Sequence, residues 1–225
     1  MAALKNLANF KSVKNFGKEI LDTYTLVNAF NAQAVTTSEF LTFTKAKDKP
    51  DYQKFKHLLE IDSKQTEKLY ELGFIALFAN FECFMFEFLK ELFKKYPTSF
   101  KSEKIIKFED IKDFKDVIDI KDYFIDSFAI EKSYEIDTWK IFLSQKFGIK
   151  IFANKKDFER LKLLNFLRNL ILHSGSKTNS KFRNDLKPFL KSPVPLGERF
   201  SLSREKYFGR LYVILKLLIT NLEKN

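Results

Sequence analysis

Apolar residues recur along this chain at intervals of three and four, the period of an α-helix, and strand-like alternation is scarce. Six glycines and five prolines leave few breaks, so the pattern predicts an all-α fold of long antiparallel helices and short connections. A first amphipathic helix is predicted within 18–43, and Lys45 to Pro50 separates it from the next. From Asp51 to Tyr96 the pattern is helical almost throughout, with a break around Ile61 to Ser63 and a stop at Pro97. A second long segment runs from Asn154 to His173. Asn154 suits its N-cap, Asp157 and Glu159 suit the positive end of its dipole, and Gly175 suits its stop. The last helix, about Ser203 to Glu223, sets Tyr207, Leu211, Ile214, Leu215, Leu218 and Leu222 on one face. Pro188, Pro193, Pro195 and Gly197 predict a basic loop or short hairpin over 176–202.

Between the long helical segments, Asp110, Asp113, Asp116, Asp119 and Asp122 fall at every third position. A three-residue step walks slowly around a helix instead of converging on one point, so this run predicts a solvated face and not a metal site. With Cys83 the lone cysteine and only His57 and His173 as histidines, no zinc-ligand spacing exists and no cofactor motif stands out. The lone cysteine suits a reducing, intracellular setting. The N-terminal residues lack a signal-peptide core, and Asn80, Glu82 and Glu87 interrupt the most apolar stretch, so a cytoplasmic protein without a membrane span is expected. The 27 phenylalanines exceed what a spare core needs, which leaves aromatic surface for a contact between protomers.

The net charge of +11 is unevenly placed. Residues 1–100 carry +2, 101–140 carry −3 and 141–225 carry +12. All six arginines, Arg160, Arg168, Arg183, Arg199, Arg204 and Arg210, lie in that last part. Such clustering is the electrostatic footprint of a surface that meets a polyanion; an ordinary lysine-rich surface would not concentrate arginine in this way.

Within it, Arg168-Asn169-Leu170-Ile171-Leu172-His173 combines a planar fork of donors suited to phosphate oxygens with a group that exchanges a proton near neutral pH. On a helix, Lys162, Asn165, Asn169 and His173 share one wedge, whereas Leu163, Leu164, Phe166, Leu167, Leu170 and Ile171 fill the opposite arc. Arg168 and His173 stand roughly 140 degrees apart, so a shared site needs the arginine to reach round, a loosened last turn, or a second copy of the helix. Capping of the helix C-terminus by the same two cations is the competing structural role. Glu82, grouped on its helix with Phe78, Phe86, Leu89 and Phe93, is a candidate orienting carboxylate, or a buried acid satisfied by some other partner. His57, on a lysine-rich stretch, is expected at the surface.

Arg168, the polar Asn169, three apolar residues and His173 resemble the R-x4-6-H motif of HEPN domains. The stretch Phe81-Glu82-Cys83-Phe84 through Leu89-Lys90-Glu91-Leu92 looks like the helix that opens with Phe-Glu in HEPN families of prokaryotic defence and toxin-antitoxin systems. The resemblance covers roughly 66–223; residues 1–60, an N-terminal helical extension, and an acidic insertion at about 101–137 match nothing in it. It implies a single HEPN-like bundle over 1–225 that forms a homodimer with the two motifs facing each other. It also implies a metal-independent endoribonuclease whose partners are RNA and an antitoxin protein, such as a nucleotidyltransferase. In that reading the RNA 2′-hydroxyl attacks the adjacent phosphorus, His173 moves the proton, Arg168 stabilises phosphoryl charge, and Asn169 orients the histidine or holds a phosphate. Lys162, Lys177, Lys181, Arg183 and Lys187 would hold the RNA backbone. The alternatives are a catalytically inactive HEPN module that binds RNA or nucleotide, and a structural dimerisation bundle.

Overall fold

The computed structural model describes residues 7–59, 63–97, 107–133, 136–187, 195–198 and 204–224. Among these the chain is helical with no β-strand, as the periodicity predicts. The helices are α1 (Lys11–Phe43), α2 (Pro50–Leu59), α3 (Ser63–Lys95), α4 (Phe108–Ile111), α5 (Val117–Ser133), α6 (Ile136–Phe147), α7 (Lys155–Ser174), α8 (Ser180–Leu186) and α9 (Arg204–Glu223). The break expected around Ile61, and most of the predicted loop between Pro188 and Ser203, lie outside the described residues, as does the side chain of His57.

Packing divides the chain into two compact units. One comprises Met1–Gly17, Asn80–Lys155 and Leu217–Asn225; the other comprises Lys18–Ala79 and Lys156–Lys216.

The first unit is built on aromatic rings. Phe93 packs edge-on against Phe128 and Phe142, and Phe142 meets Phe147, joining α3 to α5 and α6. Trp139 is 1% exposed and meets Phe81, while Phe16 stacks on Phe84 with ring centroids 4.3 Å apart. Such pairs add about 0.5–1.5 kcal/mol each beyond the area they bury. Among the described residues, twelve of the phenylalanines are buried, whereas Phe30, Phe40 and Phe43 are exposed.

Helix α1 begins at Lys11, seven residues before the predicted region, and the reason is not local. Phe10 offers no capping oxygen. Instead the Glu91 carboxylate on α3 accepts from the backbone N–H groups of Lys11 (3.0 Å) and Ser12 (2.9 Å) and from the Ser12 hydroxyl. This satisfies donors that a helix start otherwise leaves open.

The acidic segment is only in part the solvated face expected of it. Asp116 caps α5, its Oδ1 accepting from the N–H groups of Ile118 (2.8 Å) and Asp119 (2.9 Å). Asp122 pairs with Lys94 (3.2 Å) and Asp126 with Lys90 (2.9 Å). Those two acids face α3, because the three-residue step carries successive side chains round the helix until some meet its neighbour. Asp113 and Asp119 are exposed.

In the second unit α1, α3 and α9 approach closely. Tyr24 stacks on Tyr212 with centroids 4.0 Å apart and also on Phe208, against which Tyr70 tilts. Gly73 makes room for this: a Cβ there would lie 2.6 Å from Val27 Cγ2 and 3.0 Å from the Phe208 ring. Of the face predicted for α9, Leu211, Ile214 and Leu215 are buried in this unit, with Phe208 added and Tyr207 left half-exposed, and Leu218 and Leu222 are buried in the first unit.

Among the described residues, Lys64–Lys95 within α3 is long and apolar enough to cross a membrane by length and composition alone, as the core helix of a soluble protein also is. Half of its most apolar stretch is buried inside the protein.

Candidate active site

Helix α7 spans the segment read from the sequence, with Asp157 in its first turn paired to Arg160 at 3.0 Å. Its buried side chains are Phe158, Leu161, Leu164, Leu167 and Leu170. They fall at every third residue instead of filling one broad arc, so the buried line rotates by roughly 60 degrees per step along the helix. Leu163, Phe166 and Ile171 are consequently half-exposed, and Leu172 is exposed.

The helix continues unbroken through Ser174, which removes the loosened last turn as a way to unite Arg168 with His173. The Arg168 guanidinium turns toward its neighbour Asn169. Its Nη1 donates to Asn169 Oδ1 at 3.1 Å, and Asn169 lies one turn before His173 on the same face. Asn169 thus engages the guanidinium of the motif. Arg168 is half-buried, with Nε shut off from solvent, while His173 is exposed at the C-terminal end of the helix.

Beyond His173 the chain turns sharply. Gly175 (φ 53) and Ser176 (φ 67) are both left-handed, and the Ser176 N–H donates to Leu170 O at 3.3 Å. The short helix α8 then starts at an Asn179 cap. Asn179 Oδ1 accepts from Phe182 N at 2.8 Å, and its Nδ2 donates to Ser174 Oγ at 2.9 Å, which ties the start of α8 to the end of α7. Phe182 and Leu186 anchor α8 from beneath. Lys177, Lys181, Arg183 and Lys187 are left exposed. Thr178 is buried. Its backbone bonds to Glu198 O and Gly197 N, at 2.9 and 2.8 Å, fix residues 195–198 beside it, a described remnant of the predicted hairpin.

The predicted residues therefore separate into those brought together and those that are not. Arg168 and Asn169 are joined by a hydrogen bond, His173 stands one turn beyond Asn169 on α7, and the basic residues of 177–187 follow in the chain. Lys162 lies earlier on the helix, half-buried, with its ammonium 5.8 Å from the Phe158 ring centroid. Arg160 is ion-paired and Arg210 lies over the Tyr207 ring, so neither is a bare cation.

Glu82 does not lie in apolar surroundings: it is exposed. The buried arc of α3 is centred on Phe81, Met85, Phe88 and Leu92, which puts Glu82 beyond its edge. The buried carboxylate is Glu71, 3% exposed. It accepts from Ser176 Oγ at 3.0 Å and pairs with Lys68 at 3.3 Å. Glu71 had a sequence signal, since it stands three and seven residues before Phe74 and Phe78 on the buried side of the helix. Its partner, 105 residues away, had none.

Among the described residues, no group of three His, Cys, Asp or Glu side chains is placed to hold a metal ion. No family model, curated protein or solved structure matches the chain.

Proposed function

We propose that this chain is a HEPN-type endoribonuclease, a toxin or defence effector that cleaves RNA through Arg168 and His173 without a metal ion. The observation that carries the reading is the Arg168–Asn169 hydrogen bond, which directs a guanidinium toward the helix face that holds an exposed imidazole. The exposed cations of 177–187 follow within a few residues and supply backbone-gripping charge where an RNA strand would leave that face.

In this mechanism the 2′-hydroxyl of the RNA loses its proton and attacks the adjacent phosphorus. The bond to the 5′-oxygen breaks, leaving a cyclic phosphate and a 5′-hydroxyl. His173 moves the proton at one of these oxygens, a contribution of roughly a hundred- to ten-thousand-fold. Arg168 donates to the phosphoryl oxygens as their charge grows. Asn169 holds the guanidinium in place. A second protomer facing the first through α7 would supply a second Arg168 and His173, and the half-exposed Leu163, Phe166 and Ile171 give such a contact apolar area.

Incubation of purified protein with total RNA in EDTA tests this reading. Wild type cleaves, and Arg168→Ala and His173→Ala each lose activity by about a hundredfold or more. A requirement for divalent metal, or full activity in either variant, defeats it. RNA binding that weakens steeply with salt, without cleavage by the wild type, would point to the inactive binding module instead.

A further inference from the structure

The proposed chemistry leaves Glu71 unused, yet Glu71 is the one charged side chain buried among the described residues. A carboxylate removed from water is costly unless it is bonded, and an apolar residue would fill the same space at less expense. Its bonds show what it holds. Lys68, at 3.3 Å, has an exposed side chain; Ser176, at 3.0 Å, is itself 3% exposed. Ser176 is fixed at both ends: its hydroxyl donates to Glu71 on α3, and its N–H donates to Leu170 O across the last turn of α7. It also sits at φ 67, a left-handed conformation uncommon for a residue with a Cβ. The segment spanned by these bonds, Leu170 to Ser176, is the one that carries His173.

We infer that Glu71, acting through Ser176, is the positioning carboxylate of the motif: a buried carboxylate–serine latch holds the last turn of α7 so that His173 keeps one placement relative to Asn169 and Arg168. The exposed imidazole has no burial of its own to fix it, so the turn that bears it must be rigid. The consequence for rate rests on the ribonuclease reading; the consequence for the turn does not.

The test compares Ser176→Ala, which removes the donor and keeps the Cβ, with Glu71→Gln, whose amide oxygen still accepts the serine proton. Two readouts are taken on each: amide hydrogen exchange over 171–176 with the His173 imidazole NMR signal, and kcat and KM on RNA. In Ser176→Ala, exchange over 171–176 rises by roughly tenfold or more and the His173 signal moves. Its kcat falls by about ten- to a hundredfold, as expected for a misplaced catalytic group, while KM stays within about twofold. Glu71→Gln stays within about threefold of wild type in kcat, because the bond to Ser176 survives. Unchanged exchange and an unchanged His173 signal in folded Ser176→Ala overturn the latch, and so does a moved signal with undiminished kcat. Should the wild type cleave no RNA, the ribonuclease reading fails by itself and the exchange and NMR data still decide for or against the latch.

Discussion

Lys90 and Lys94 on α3 and Lys181 and Arg183 on α8 carry the same charge in different surroundings. The first two meet acids on α5, with Lys90 2.9 Å from Asp126 and Lys94 3.2 Å from Asp122. The second two stand exposed on a short helix whose apolar side chains, Phe182 and Leu186, face inward. One set is spent on joining helices. The other remains available to a polyanion, directly after the residues proposed to cut it. Composition alone would weigh the four cations equally; only their neighbours tell a structural charge from a surface that binds.

Charge reversal is the strongest way to probe that contrast. In a His173→Ala background that blocks cleavage, Lys181→Glu with Arg183→Glu should weaken RNA binding about ten- to a hundredfold near physiological salt. The slope of log affinity against log salt should fall by about one to two. Lys94→Glu should leave affinity within about twofold, and fluorescence anisotropy on a short single-stranded RNA measures both. Equal losses at α3 and α8 would mean that the contrast has no bearing on binding.

A smaller effect belongs to the structural set. The hydrogen bond to Asp126 holds the Lys90 ammonium above the ordinary lysine value of 10.5; partial burial opposes this, and the charges of Asp126, Glu87 and Asp122 add to it. A lysine whose folded pKa is raised contributes stability that is complete below its unfolded value and is lost as pH rises through the folded one. Urea unfolding should therefore show a decline setting in above about pH 10.5, and Lys90→Met should lack that part of the decline. The pair is partly exposed, so Lys90→Met should cost no more than about 1 kcal/mol at neutral pH. A Lys90→Met protein with the same alkaline profile as wild type would remove Lys90 from this role.

The helical class and the bounds of α7 and α9 were legible in the sequence, because apolar spacing and a glycine stop are local signals. The start of α1 was not, since its capping oxygen comes from Glu91, 80 residues away. In the acidic run the three-residue step predicts a rotating set of side chains, but what those acids meet depends on α3. The candidate site divides in the same way. Arg168, Asn169 and His173 could be named from their spacing, and the direction in which the arginine reaches followed only from its bond to Asn169. Glu82 shares a helical side with Phe78, Phe86, Leu89 and Phe93 on an ideal projection, but the buried arc is centred on Phe81, Met85, Phe88 and Leu92, which leaves Glu82 exposed. The value of Glu71 lies in a partner that no local pattern discloses.

The central claim is that Arg168 and His173 act as one unit on RNA, and a double-mutant cycle in EDTA measures this directly. Arg168→Ala, His173→Ala and the double variant should lose kcat/KM by nearly the same factor, because removing either group already disables the pair. Losses that multiply in the double variant would show two independent contributions and contradict it.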